Sequence, residues 1–466
     1  MTTFLSAKLS LTLRSIVSSK QPTRKPLPKR RKPAPKQEED VVAPAPSDVD
    51  DETAVNTKKP NVKSKDIQGL KYFDMLLPLL ERLHDDHCKR DKANNRELHF
   101  DKYCMLALLY MFNPTVTSLR AIAQASELAK VQKKLGCKRT SLGSLSEASR
   151  LFDPNRLKEI IQELGEQAAP VGRDARLSQI NQTITLIDGT LVSALPNLIQ
   201  ASLLKQSEGS GLVKWRLHTH FEVDRYVPTR IDVTPDSGGE NDERAVAERT
   251  IESDRLYVMD RGYAKFALFN DIVRKQSSYV CRLRDNSVYE TIEQRELSQA
   301  AIDAGVLSDQ IISIGKSSKP GSRPDHKIRL VCVKCTPHTS RGKSKLGSTG
   351  AESDGVLRIA TNLLDVPAEI ISLIYSQRWI IEIFFRFFKQ FLGCSHLISH
   401  SQNGIESQTY CAIIACLLIN LWTGRKPTKR TFEMISYYFM GLASEAELIA
   451  HLEKLKRHDA ARSANQ

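Results

Sequence analysis

The sequence predicts an α/β fold in which a mixed sheet is preceded by a helical region. Runs 182–188 and 255–260 are apolar or alternate apolar with polar residues, and each ends on an aspartate, which is typical of buried or half-buried strands. The patterns occur in the order strand 182–188, hairpin 213–223 and 230–234, helix 242–252, strand 255–260, a helix, and strand 278–284. This is the order of a ribonuclease H-like layer, in which ligands bind beyond the carboxyl ends of the strands.

Composition limits the class of protein. With 466 residues, 41% of them hydrophobic, the chain can hold two or three domains and is not disordered as a whole. Lysine and arginine outnumber aspartate and glutamate by 68 to 54, giving a formal charge of +14, so a polyanion is the natural partner. Nine scattered cysteines, an odd number, indicate reduced thiols rather than a disulfide framework.

The first 66 residues form a low-complexity segment. Residues 20–33 are basic and rich in proline, and residues 38–52 are acidic. Such a tract buries too little apolar surface to order itself, so we expect a disordered tail, basic and then acidic. The basic half either adds non-specific phosphate affinity or is a solvated leader without function.

Residues 67–175 are predicted to be a helical N-terminal region. Its clearest element is an apolar helix from Phe100 to Phe112. A short helix at 117–126 and a second one at 137–150, rich in Ser, Thr and Arg, fit a helix-turn-helix that reads DNA. A plain helical bundle explains the same periodicity, and both interpretations stay open.

The run from Tyr375 to Lys389 predicts a helix with one polar lane. At about 100° per residue the lane gathers Tyr375, Arg378, Glu382, Arg386 and Lys389 within an arc of roughly 80°. The other positions from Trp379 to Phe388 are apolar, so we expect a core helix whose charges line a site. The alternative is a row of i,i+4 ion pairs on a helix surface.

The lane and the two aspartates together resemble one family. The spacing Y-(2)-R-(3)-E-(6)-K, with Asp188-Gly189 and Asp260-Arg261-Gly262-Tyr263 upstream, is similar to the signature of insertion-sequence-four family DDE transposases, which include those of Tn-five and Tn-ten. The resemblance implies that Asp188, Asp260 and Glu382 are catalytic and hold two Mg²⁺ ions, with Mn²⁺ as a substitute. It further implies DNA-phosphate contacts from the cationic and phenolic members of the lane: Tyr375, Arg378, Lys389 and, as a further candidate, Arg386.

The activity implied by the resemblance is cut-and-paste transposition. Its partners would be double-stranded DNA, namely the terminal inverted repeats and the target, and a second copy of the chain at synapsis. We expect action on nucleoid DNA in the bacterial cytoplasm and no membrane contact. The family stacks a flipped base on an insertion tryptophan, whereas here the tryptophans are Trp215, Trp379 and Trp422 and the insertion's only aromatic residue is Tyr289, so a hairpin step stays open.

Two alternative functions remain. A ribonuclease H-fold nuclease would use the same acids to cut DNA without joining it. A catalytically inactive or domesticated transposase derivative would only bind DNA.

The remaining segments follow from this frame. We expect the segments 176–285 (first part of the core), 286–355 (basic, β-rich insertion), 356–425 (second part of the core) and 426–466 (C-terminal helices). Strand patterns are visible in the insertion at 310–314 and 328–333. Cys332, Cys335 and His338 could suggest zinc, but a single C-x-x-C within an alternating run favours a strand. The apolar run 411–422 is too short to span a bilayer and predicts a buried helix.

Overall fold

A computed structural model describes residues 73–84, 96–113, 115–172, 174–194, 213–316, 323–336, 354–391, 399 and 401–464. These residues belong to one compact unit that spans Val62–Gln466. The predicted tail, residues 1–66, lies outside the described residues, as do most of the loops within the insertion.

Helices precede, interrupt and follow the sheet. Those of the N-terminal region are α1 (Phe73–Glu81), α2 (Phe100–Phe112), α3 (Leu119–Ala125), α4 (Ala129–Leu135), α5 (Leu142–Leu151) and α6 (Arg156–Gln167). Those between strands are α7 (Glu243–Thr250), α8 (Phe266–Arg274) and α9 (Gln299–Asp303). The last five are α10 (Ala368–Ser376), α11 (Trp379–Phe391), α12 (Gln402–Thr423), α13 (Lys429–Phe439) and α14 (Glu445–Ala464).

The strands of the described residues form one nine-stranded sheet in the order β3-β2-β1-β4-β5-β9-β8-β7-β6. They are β1 (Thr183–Ala194), β2 (Val213–Glu222), β3 (Val227–Pro235), β4 (Arg255–Met259), β5 (Ser278–Arg282), β6 (Tyr289–Arg295), β7 (Val306–Ile314), β8 (Ile328–Lys334) and β9 (Val356–Thr361). Strands β1, β4 and β5 are parallel, and all other neighbours are antiparallel. The predicted mixed α/β fold is therefore confirmed.

Strand β1 is longer than the sequence suggested. We expected it to stop at Asp188, but it continues to Ala194, because β2 pairs with it as far as Val213. That expectation was wrong for the antiparallel side of β1. On the parallel side, pairing with β4 ends at Ile187 and Met259, so a strand end does exist there.

The segment predicted to be an insertion, residues 286–355, adds strands to the same sheet rather than forming a separate layer. Strands β6, β7 and β8 continue the sheet beyond β9, which itself pairs with β5 of the core. The sequence patterns predicted β8 and part of β7 but missed β6, an edge strand whose residues are mostly exposed. The remaining tracts, 317–322 and 337–353, lie outside the described residues, and so does His338.

The N-terminal helices pack on the core through α12. Helix α2 has the predicted limits, whereas α4 lies between the two helices predicted at 117–126 and 137–150. Helix α12 contacts α2, α5, α6 and β3. It is the one described helix long and apolar enough to cross a membrane, yet 94% of its apolar window is buried inside the protein. Core packing thus accounts for its composition, as predicted for 411–422.

The run from Tyr375 to Lys389 is not one helix. Helix α10 ends at Ser376 and α11 begins at Trp379, so Tyr375 and Glu382 lie on consecutive helices joined by a turn. In that turn the amide of Arg378 bonds to the carbonyl of Tyr375, an i to i−3 bond tighter than the α-helical one. The expected burial all round was also wrong, because Trp379 is 44% and Ile383 42% exposed.

Candidate active site

Asp188 and Asp260 lie at the same level of the sheet, where the parallel pairing of β1 with β4 ends. The last parallel pair between β1 and β4 is Ile187 with Met259, and the two aspartates are the next residues of each strand. Pairing with β2 holds Asp188 in extended backbone opposite Thr219. Parallel register therefore places two carboxylate-bearing residues side by side at one edge of the β1–β4 pair.

Local hydrogen bonds orient both aspartates. The amide of Gly189 donates to Asp188 Oδ1 at 2.8 Å. Asp260 caps a short 3₁₀ turn, Arg261–Tyr263, by accepting at Oδ1 from the amide of Gly262 at 2.6 Å. The glycines that follow each aspartate in the motifs thus supply backbone donors to the carboxylates.

Arg378 connects the third predicted acid to this pair. Its Nη2 lies 2.5 Å from Glu382 Oε1, and its Nη1 lies 3.8 Å from Asp188 Oδ2. The guanidinium therefore stands between the first and third acids, and the i,i+4 pair proposed as the alternative is also present. All three side chains are only partly exposed.

The acids repel one another in a partly buried space. Burial together with the negative charge of Asp260 raises the pKa of Asp188 to about 7, with Glu243 adding to the rise and the Gly189 amide and Arg378 opposing it. Among the described residues, no three His, Cys, Asp or Glu side chains are already gathered closely enough to hold a metal ion. The predicted convergence of three acids is thus incomplete, since Arg378 separates Glu382 from Asp188.

The other members of the polar lane differ in their surroundings. Tyr375 is buried, and burial raises its pKa to about 12, so its hydroxyl is a neutral donor. Lys389 is half-buried and burial lowers its pKa; in the described part of the chain it has no ion-pair partner. Arg386 is exposed.

A fourth carboxylate, that of Glu243, adjoins the two aspartates and was missed by the sequence reasoning. It lies in the first turn of α7 and forms an ion pair with Arg216 of β2, which also pairs with Asp236 at 2.8 Å. The sequence signal was present but ambiguous, because acids in a first helical turn are common as partners of the helix dipole.

Tyr263 is a buried residue at the end of the short turn that follows Asp260. It is 1% exposed, and burial and the charges of Glu243, Asp188 and Asp260 raise the pKa of its phenol. Its hydroxyl has no hydrogen-bond partner in the described residues. Such a buried polar atom without a partner is costly unless a ligand or water completes it.

In this mixed sheet, acids lie where the parallel pairing of two inner strands ends, and an arginine adjoins them. Such a set of side chains is typical of proteins that act on phosphate esters. A model of the family described as "Transposase DDE domain" matches residues 180–418, just over half of the chain. The chain therefore belongs to the DDE transposase domain family.

Two curated relatives agree with this family. The chain is 25% identical over 207 residues to a protein of Sinorhizobium fredii named as transposase y4zB, covering 44% of this chain and 52% of that one. It is 26% identical over 223 residues to one named as the transposase for insertion sequence element IS5377 of Geobacillus stearothermophilus, covering 48% and 52%. The matches thus span about half the length of these relatives. A cryo-EM structure of a piggyBac transposase synaptic complex with hairpin DNA aligns over 84% of each chain, with a TM-score of 0.40 and 11% identity.

Proposed function

We propose that this protein is a DNA transposase of the cut-and-paste type that cuts and joins phosphodiester bonds with Asp188, Asp260 and Glu382. The observation that carries the proposal is the common register of Asp188 and Asp260 on β1 and β4, next to Arg378 and Glu382. Strands β3-β2-β1-β4-β5 would form the ribonuclease H-like core, and β6 to β8 the insertion.

The donor set fits divalent metal ions. Asp188, Asp260 and Glu382 offer hard carboxylate oxygens, which Mg²⁺ prefers, and Mn²⁺ accepts the same ligands. A bound cation would offset the repulsion from Asp260 that, after burial, raises the pKa of Asp188. The buried Tyr263 hydroxyl, which has no partner in the described residues, is a polar group that a bound ligand would complete. When bound, two such ions would activate the attacking hydroxyl and stabilise charge on the phosphorus.

The chain's own cations and phenol would grip the DNA backbone. Arg378 can present two donors to a phosphate, and the neutral hydroxyl of Tyr375 can present one. The half-buried Lys389 has no acidic partner among the described residues, so a phosphate would offset the cost of burying its charge. The exposed Arg386 is a further candidate for the same backbone.

DNA is the proposed substrate on both sides of the reaction. The net charge of +14 suits binding to terminal inverted repeats and to target DNA. We assign end recognition to the helices α2 to α6 and expect two copies of the chain to act together at synapsis, on the nucleoid of a bacterial cell.

Strand transfer decides between the proposal and its rivals. Purified protein with a pre-cleaved transposon end and a target plasmid should give joined products in Mg²⁺ or Mn²⁺ and none in EDTA. Cutting without joining would indicate a nuclease, and end binding without either reaction would indicate a DNA-binding derivative. Asp188→Asn, Asp260→Asn and Glu382→Gln should each stop both reactions and leave end binding intact.

A further inference from the structure

The carboxylate of Glu243 packs closely on Gly189, the residue that follows Asp188. A Cβ built on Gly189 would lie 2.6 Å from Glu243 Oε1 and 3.3 Å from its Cδ. A side chain at position 189 would therefore collide with this carboxylate. The glycine after Asp188 leaves the space that Glu243 fills.

The same carboxylate also reaches toward the second motif. A Cβ on Gly262 would lie 3.9 Å from Glu243 Oε2 and 2.9 Å from Asp260 Oδ1. One oxygen of Glu243 thus lies near Gly189 in strand β1, and the other lies nearer the turn after Asp260. Glu243 lies between the two motifs.

Glu243 is held in this position by a chain of ion pairs. Arg216 pairs with Glu243 and makes two hydrogen bonds to Asp236 Oδ1, at 2.8 Å and 3.2 Å. Asp236 directly follows β3, so these ion pairs connect α7 to the hairpin formed by β2 and β3. This arrangement fixes a long side chain that would otherwise sample many rotamers.

We propose that Glu243 is a fourth acid of the cation site, with Arg216 as its positioning residue. The inference rests on the proposed function, since it assumes that Asp188 and Asp260 hold a divalent ion. Its independent support is the buried hydroxyl of Tyr263, which has no partner in the described residues and is acted on by the charges of Glu243, Asp188 and Asp260. A carboxylate there would ligate the ion or hold one of its waters, both of which Mg²⁺ and Mn²⁺ accept.

The competing explanation is that Glu243 only tethers α7 to the sheet. The chain offers a matched example of such a tether: Glu248, on the same helix, pairs with Lys265 at 2.6 Å. A tether contributes to folding but does not change affinity for a cation at Asp188 and Asp260. The two explanations therefore differ in metal binding.

Mn²⁺ binding to the full chain, followed by electron paramagnetic resonance of the free ion, separates them. Glu243→Gln keeps the size of the side chain and removes its charge, and we expect the Mn²⁺ affinity to fall by about tenfold or more, the range found for residues that orient metal ligands. Glu248→Gln should leave the affinity unchanged. Thermal melts in EDTA verify that both variants are folded.

Each outcome decides something. A Glu243→Gln protein that binds Mn²⁺ as tightly as the wild type overturns the inference and leaves Glu243 as a tether. If Glu243→Gln does not fold, Gly189→Ala provides the second variant, because its methyl group pushes the carboxylate away while the charge stays; unchanged affinity there also overturns the inference. If the wild type binds Mn²⁺ through Glu243 but neither cuts nor joins DNA, the proposed function is contradicted and the inference about Glu243 is not. A wild type that binds no Mn²⁺ removes both.

Discussion

Two arginines of this protein pair with acids in different ways. Arg329, in the insertion, is 2% exposed and makes two parallel hydrogen bonds to Asp309, at 2.8 Å and 2.7 Å. Its remaining donors reach the carbonyls of Leu363, Leu364 and Val366. Arg378, at the candidate active site, makes one short contact with Glu382 and a long one with Asp188.

This difference in pairing indicates a structural role for Arg329 and a functional role for Arg378. Arg329 and Asp309 satisfy each other's charge, and the guanidinium also joins β7 and β8 to the loop before α10. Arg378 faces two acids, Asp188 and Glu382, with one guanidinium, which leaves carboxylate oxygens for an added cation. Stability should therefore depend on the first arginine and activity on the second.

The largest expected effect falls on the chemistry. Asp188→Asn should lower the rate of DNA cleavage by about 10⁴-fold or more, the scale found when a central catalytic group is removed. Single-turnover cleavage of a labelled transposon end measures it. Asp271→Asn, which changes an exposed ion pair on α8, is the control and should cleave at the wild-type rate. Cleavage by Asp188→Asn within tenfold of wild type would contradict the assignment.

Next in size is the loss of the buried arginine. Arg329→Met leaves the Asp309 carboxylate buried without a cation, which costs about 3–5 kcal/mol in free energy of unfolding. Urea denaturation measures this change. Arg274→Met removes two exposed ion pairs, with Asp271 and Asp325, and should cost at most about 1 kcal/mol. Equal losses in the two variants would remove the distinction drawn between the networks.

Arg378→Met should show the opposite profile. We expect cleavage and strand transfer to fall by about 10²–10³-fold, because a donor aimed at the phosphate is lost. The free energy of unfolding should change by about 1 kcal/mol or less, since water reaches both acids. Arg378→Lys keeps the charge without the two-pronged geometry and should have intermediate activity. Unaltered kinetics in Arg378→Met would mean that Arg378 only forms an ion pair with Glu382 and does not contact the DNA.

A smaller effect tests the packing of Glu243 on Gly189. Gly189→Ala should displace the carboxylate and lower Mn²⁺ affinity by about tenfold, like Glu243→Gln. Because both changes remove the same interaction, the double variant should bind Mn²⁺ no more weakly than either single variant. Additive losses in the double variant would mean that the two residues act separately.

The smallest effect is on stability without metal. In an acid whose folded pKa of about 7 exceeds its unfolded value of 3.8, the folded state holds the proton more tightly, so stability falls as pH rises through this window. Asp188→Asn lacks this titration, and in EDTA at pH 8 it should melt a few degrees above the wild type. At pH 4 the two melting temperatures should coincide. If the difference between the two melting temperatures does not change with pH, the effect of Asp188→Asn comes from packing and not from this titration.

The sequence predicted the parts of the fold that are governed by local pattern. The alternation ending at Asp188 and the buried run ending at Asp260 gave the core strands β1 and β4, and their parallel register follows from that order. Strand β6 escaped detection because an edge strand with exposed side chains carries no apolar period.

The site was less predictable than the fold. Long-range pairing with β2 carried β1 past Asp188, and no local pattern encodes it. A helix of nearly unbroken apolar residues suggested full burial of α11, yet two of them, Trp379 and Ile383, are exposed because the neighbouring elements leave that face open. Glu243 could be linked to Gly189 only through the packing of α7 on the sheet.

Cleavage of the polypeptide by bound iron tests the central claim most directly. Fe²⁺ occupies Mg²⁺ sites, and with ascorbate and peroxide it generates hydroxyl radicals that cut nearby backbone. Our account predicts cuts near residues 188, 260 and 382 in the wild type, suppressed by excess Mg²⁺ and lost in Asp188→Asn. Cuts confined to other segments, or cuts at these three that persist in Asp188→Asn, would contradict it.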